Sequence, residues 1–241
     1  METIIVSSWR RADYLSHTLR ALSKARGIEN KLVRVFQNNR RDEGISLHLV
    51  HNLLATAESW FRNFQVTGTN YSDGEYPGWV WGQYDAWKAV YETGASRVYF
   101  FSDDDVCTPD YFEWHDAVQT DGDWFASCAW RWLAPTGEVI KKPFDLEAYY
   151  QVSYPCEIGR GLGISHENLG VMLRTPPIWV HPVRMVEENW KIVMPYVQRI
   201  YHAGTRSSHL LQVEENFGAA VDYPMPDPIP DYGRQKAVLK P

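Results

Sequence analysis

The chain is short of cysteine, has no long apolar run and carries no excess of positive charge. Its three cysteines, Cys107, Cys128 and Cys156, are far apart and odd in number. They exclude a disulfide framework and a zinc knuckle, and they fit a reducing compartment. No stretch approaches the roughly 18 consecutive apolar residues of a membrane span. The N-terminus METIIVSSWRRADYL places a short apolar run before its charges, the reverse of a secretory signal. A cytoplasmic protein with no membrane partner is the expectation. With 24 Lys and Arg against 30 Asp and Glu, the formal net charge of -6 argues against a broad nucleic-acid footprint. A P-loop is absent.

What is present suits a globular enzyme or binding domain. The 241 residues can bury a sizeable core. A hydrophobic share of 44% and a charged share of 22% exclude a wholly disordered chain. Aromatics reach 14%, with 11 Trp, enough to fill a core or to line a groove.

Thr3 to Ser8 reads as a buried strand. Leu15, Leu19 and Leu22 follow at helical spacing in a helix that begins at Ala12 or Asp13 and stops by Gly27. Leu32 to Gln37 is a second strand, and the three elements form a βαβ unit with a parallel sheet. A helix over Leu53 to Phe64, a loop from Thr67 to Gly78 and a helix over Trp79 to Tyr91, ended by Gly94, come next. Arg97 to Phe101 is a strand, Thr108-Pro109-Asp110 a capped helix start, and Trp124 to Trp130 another strand. Beyond Arg131 the pattern loosens. It predicts a hairpin at Pro135-Thr136-Gly137, a glycine-rich loop over Glu157 to Gly170, a helix over Glu187 to Val197 and an extended tail from Pro224 to Pro230.

Asp103, Asp104 and Asp105 stand directly after the VYFF strand. Open α/β sheets bind ligands beyond the carboxyl ends of their strands. Adjacent carboxylates repel one another unless a cation or hydrogen bonds offset them. Hard oxygen donors suit Mg²⁺ or Mn²⁺ shared with substrate phosphates. The bland alternative is a solvated acidic turn at a helix start. An aspartate-nucleophile phosphatase fits less well, because Cys107 fills the place of its Thr or Val. A sugar nucleotidyltransferase would need glycines that SSWRRADY lacks.

From Ile4 to about His209 the chain resembles a glycosyltransferase of the GT-A fold, and in particular the N-acetylglucosaminyltransferase I family. The resemblance rests on IIVSSWRRADYLSHTLRAL, on VYFFSDDDVCTPDYFEWHDAV, on DWFASCAW, on Gly161-Leu162-Gly163, on MVEENW and on RIYHAGTRSSH. It implies an α/β, Rossmann-like domain with a mixed, mostly parallel sheet flanked by helices. Residues 1–130 would bind the nucleotide-sugar, 131–223 would hold the acceptor and the catalytic base, and 224–241 would form a tail. It also implies metal-dependent, inverting transfer from a UDP-sugar to a hydroxyl.

Asp105 would then ligate Mn²⁺ or Mg²⁺, with Asp104 facing the donor ribose and Asp103 in support. Arg10 or Arg11 would reach the nucleotide or its phosphates. Asn38 or Asn39 stands where the family has an acidic residue at the uracil. Glu188, with Glu187 behind it, would be the general base. His202 would bind the metal or diphosphate, and Arg206 and His209 the phosphate or a closing loop. Gly161 and Gly163 would allow close approach of sugar or acceptor. Trp79, Trp81, Trp130 and Trp132 would line an acceptor groove, while Trp87 and Trp114 belong to the core. The acceptor could be a glycan, a small molecule, a protein or, for a phage enzyme in its host's cytoplasm, a hydroxymethylated DNA base. A non-catalytic sugar- or nucleotide-binding module on the same fold is the other class.

Overall fold

The computed structural model describes residues 1–8, 11–38, 47–69, 79–120, 122–130, 148–152, 161–174, 187–195, 198–202 and 238–239. Strand β1 (Glu2–Ser8) leads to helix α1 (Ala12–Leu22), strand β2 (Lys31–Asn38), helix α2 (Leu47–Ala57), strand β3 (Phe64–Thr69) and helix α3 (Trp79–Tyr91). Then come β4 (Arg97–Ser102), β5 (Asp105–Cys107), α4 (Tyr111–Thr120), β6 (Ala126–Cys128) and β7 (Ala148–Val152). The order closes with β8 (Leu162–Ser165), α5 (His166–Leu173), β9 (Ile192–Pro195), β10 (Ile200–His202) and β11 (Val238–Leu239).

Ile4, Ile5 and Val6 are fully buried because helices cover both faces of the sheet, which is why β1 reads as a continuous apolar run. Leu15, Leu19 and Leu22 form the buried stripe of α1. Gly27 and Gly94, at φ +83° and +72°, take the left-handed turns that follow α1 and α3.

Nine strands of the described residues form one sheet in the order β11-β7-β9-β6-β8-β4-β1-β2-β3. β1 pairs in parallel with both β2 and β4, and β2 with β3. β8 runs antiparallel between β4 and β6, so β4, β6 and β9 all point the same way. A separate two-stranded ribbon joins β5 to β10. This mixed, mostly parallel α/β sheet is the architecture the sequence predicts. No described helix is long and apolar enough to cross a membrane.

Four expectations need correction. The helix over Leu53 to Phe64 is α2 shifted toward the N-terminus, and Phe64–Thr69 is edge strand β3. Within Glu157 to Gly170, the described residues form β8 and most of α5. Of the expected helix over Glu187 to Val197, the described residues 188–195 are not helical: a turn through Asn189, at φ +52°, leads into β9, whose residues are all buried. The Thr108 hydroxyl donates to the Arg199 carbonyl at 3.4 Å, and α4 starts at Tyr111. The hairpin at 135–137 and the tail at 224–230 lie outside the described residues.

Candidate functional site

After β1 the chain crosses to β2 on one side, while β4 lies on the other side of β1. The carboxyl ends of β1 and β4 therefore adjoin at a topological switch point, with Ser7 opposite Ser102. Such a point is where an open α/β sheet leaves a crevice. Arg11 leaves β1 here, and Asp103, Asp104 and Asp105 leave β4.

All three carboxylates are buried, so the turn is not a solvated helix start. The Arg11 guanidinium pairs with Asp103 through one nitrogen and with Asp104 Oδ2 through another at 2.7 Å. Its side chain keeps 37% exposure, so its outer face stays open to a ligand. Burial alone would lower the guanidinium pKa, but the two carboxylates outweigh it and hold it above its ordinary value. Thr18 of α1 donates its hydroxyl to the Asp103 carbonyl at 2.9 Å. Asp105 turns the other way: its Oδ2 accepts the Ser102 N–H at 2.7 Å. The sequence thus folds into one cationic arm held by two acids, with a third acid at the start of the ribbon strand β5.

The ribbon adds a histidine. In the β5–β10 register, His202 stands opposite Asp105. Among the described residues, no three His, Cys, Asp or Glu side chains are grouped as a metal site. Buried aspartate oxygens with a histidine at the facing register position nevertheless suit a divalent cation that takes its remaining ligands from phosphate and water.

Other candidates gather at the same edge. Asn38 ends β2 there. Gly161 precedes β8 at φ +57°, and a Cβ on it would come 3.0 Å from Ile200 Cγ2, so the glycine admits the ribbon. Helix α3 ends just before β4 begins and packs on β1, which carries its first turn, with Trp79 and Trp81, back toward this edge. Arg10, Asn39, Trp132, Arg206 and His209 lie outside the described residues.

Three assignments are corrected. Trp130 is 3% exposed and belongs to the core, so it offers no face to an acceptor. Gly163 sits in β8 beneath His115, whose Nδ1 would lie 2.6 Å from an added Cβ, and its role is packing. Glu187 and Glu188 precede β9, which runs parallel to β4, and so they stand at the opposite edge of the sheet. Ile192 is level with Ala126, Ile164 and Val98 across three strand spacings. Val98 to Ser102 spans about 13 Å along the strands, and the three spacings add about 14 Å across them. Ile192 is thus roughly 20 Å from Ser102, and Glu188, which precedes Ile192, is too far from the acids to share a substrate with them. Its Oε2 instead accepts the Trp190 Nε1–H at 3.0 Å, and Trp190 stacks on Phe125 with ring centroids 4.1 Å apart.

Sequence reasoning missed the buried pair between Asp110 and Arg199, 3.3 Å apart, which ties the start of α4 to the ribbon. The signal was the acid after Pro109, which reads as an ordinary first-turn carboxylate.

Sequence comparison finds no family model and no curated relative that matches the chain. Solved structures do match it in fold. S. aureus TarS 1–349 aligns with a TM-score of 0.56 at 14% identity, over 85% of this chain. The same fragment in complex with UDP-GlcNAc aligns with a TM-score of 0.60 at 14% identity, over 88% of this chain. The longer TarS structure gives a TM-score of 0.58 at 14% identity, over 91% of this chain and 40% of its own. The chain spans 61% of the 1–349 fragment. The shared architecture is the GT-A fold.

Proposed function

We propose that the chain is a glycosyltransferase that moves a sugar from a nucleotide-sugar, of the UDP class, to an acceptor hydroxyl. The observation that carries this reading is the Arg11–Asp103–Asp104 cluster at the β1/β4 switch point, with Asp105 beside it. The fold match supports it, since TarS was crystallised with UDP and with UDP-GlcNAc. The resemblance to the N-acetylglucosaminyltransferase I family supports the same donor class.

Mn²⁺ or Mg²⁺ would be held by Asp105 with His202. When bound, such a cation offsets the negative charge that gathers on the departing diphosphate. The chain's own residues do the remainder. Asp103 and Asp104 orient Arg11, whose exposed face offers charge-assisted hydrogen bonds to phosphate. Burial of the acids makes those interactions stronger than they would be in water. The resemblance implies inversion, which needs a carboxylate at the acceptor hydroxyl. Glu187 and Glu188 are at the wrong edge, so that base lies elsewhere in the chain.

A thermal-shift screen of nucleotide-sugars with and without Mn²⁺ tests the reading. One nucleotide class should raise the melting temperature, more with Mn²⁺ than without, by linkage. Asp105→Asn should remove the Mn²⁺-dependent part and abolish sugar release to water or acceptor. Full activity of Asp105→Asn in EDTA would overturn the metal assignment. Tight donor binding with no hydrolysis or transfer on any glycan, small-molecule, protein or DNA acceptor would favour a non-catalytic binding module.

A further inference from the structure

Arg199 is almost completely buried, a costly place for a guanidinium unless every side of it is used. It stands immediately before β10, the strand that carries His202. Its N–H donates to the carbonyl of Ala129 at 3.0 Å, just past the end of β6. Its own carbonyl accepts the Thr108 N–H at 2.9 Å and the Thr108 hydroxyl at 3.4 Å. Its Nε donates to Asp110 Oδ2 at 3.3 Å, and its guanidinium lies 6.0 Å from the Trp114 ring centre. Asp110 is buried as well. The pair thus clamps the ribbon at the end away from Asp105, at the start of α4.

The ribbon needs such a clamp. β5 and β10 are three residues each, too short to hold a register by their own ladder. The register is what sets His202 against Asp105. A slip of one residue would move position 202 to the other face of the ribbon. We propose that the buried Asp110–Arg199 pair is a positioning device that holds His202 beside Asp105 and thereby sets the affinity of the cation site. This rests on the cation reading above. Neither residue is proposed to touch the cation: each acts through β10, as partners behind a metal ligand commonly do.

The test measures Mn²⁺ uptake by the full chain in the presence of UDP, from the loss of the free-Mn²⁺ electron paramagnetic resonance signal. Removing one partner alone upsets the balance of buried charge and can unfold the chain, so the main variant is the neutral pair Asp110→Asn with Arg199→Met. Its folding is checked by circular dichroism and its melting temperature. The folded double variant should bind Mn²⁺ about 10- to 100-fold more weakly. UDP binding in EDTA should stay within about twofold, because Arg11 and its acids are untouched. In a His202→Ala background the double substitution should have no further effect on Mn²⁺. Arg199→Lys, which keeps the charge but not the fork, should fall between the double variant and the wild type. Wild-type Mn²⁺ affinity in the folded double variant would overturn the positioning role and leave the cation reading standing. No Mn²⁺ uptake by the wild type would overturn both.

Discussion

Lowering the pH from 7 to 5 should destabilise the chain through one buried histidine. His115 of α4 is fully enclosed, with Nδ1 at 2.6 Å from the Ser127 hydroxyl. Gln119 donates to the same hydroxyl at 2.7 Å and to the Gly163 carbonyl at 3.2 Å. Burial, followed by the nearby Arg97 and Lys31 charges, holds the imidazole well below its ordinary pKa. In the unfolded chain the same group titrates near 6.5. Below that pH the unfolded state takes up a proton that the native state refuses, so stability is complete above about 6.5 and falls as the pH falls. Each full unit is worth about 1.4 kcal/mol. Between pH 7 and 5 the first half unit counts for little, and the loss is about 2 kcal/mol. Urea unfolding at both pH values, for the wild type and for His115→Asn, isolates this share. The carboxylates titrate alike in both chains and cancel in the difference. The wild type should be the more stable chain at pH 7, and its advantage should shrink by about 2 kcal/mol at pH 5. An advantage that is equal at the two pH values would show that His115 is not held neutral by the fold.

Gly163→Ala tests the same contact from the sheet side. Its Cβ would come 2.6 Å from His115 Nδ1 and 3.1 Å from Ser127 Oγ, so overpacking should cost about 1–3 kcal/mol, read as a lower melting temperature. An unchanged melting temperature would mean that β8 can move away from α4. Glu188→Gln should leave transfer within about twofold of the wild type, because the residue lies at the far edge of the sheet. A hundredfold loss in kcat with normal donor binding would return the base to that edge.

The elements legible in the sequence are those whose burial writes a local signature. β1 and β4 are covered on both faces and read as unbroken runs, TIIVSS and RVYFF. β3 lies at the sheet edge, where Val66 is exposed and Gly68 breaks the apolar pattern, and it passes for a loop. β8 is hidden for a different reason: its glycine leaves room for His115, a neighbour from another element, and such a need is invisible along the chain. β9 was obscured by its setting. ENWKIVMP carries a helix-like mixture of charge and apolar residues, yet Ile192, Val193 and Met194 are all buried in a strand.

The same division runs through the site, and it explains why Glu187 and Glu188, expected at the site, stand at the other edge of the sheet. Three adjacent aspartates after a buried strand announce a ligand edge in one short stretch. Arg11 and Asp103 are 92 positions apart and Asp110 and Arg199 are 89, and only the strand order brings each pair together. Glu187 and Glu188 share the local look of a catalytic pair, but an acid has to stand at the correct end of its strand. β9 is parallel to β6, and β6 points the same way as β4, so whatever precedes β9 faces away from whatever follows β4. A base able to reach a donor at Asp103 to Asp105 must therefore follow one of the strands parallel to β4 or precede one that runs against it. The ribbon obeys this rule, because His202 comes after β9, on the correct side. Sequence order alone cannot express the rule: it depends on the direction of each strand, and direction is fixed only when the whole sheet is assembled.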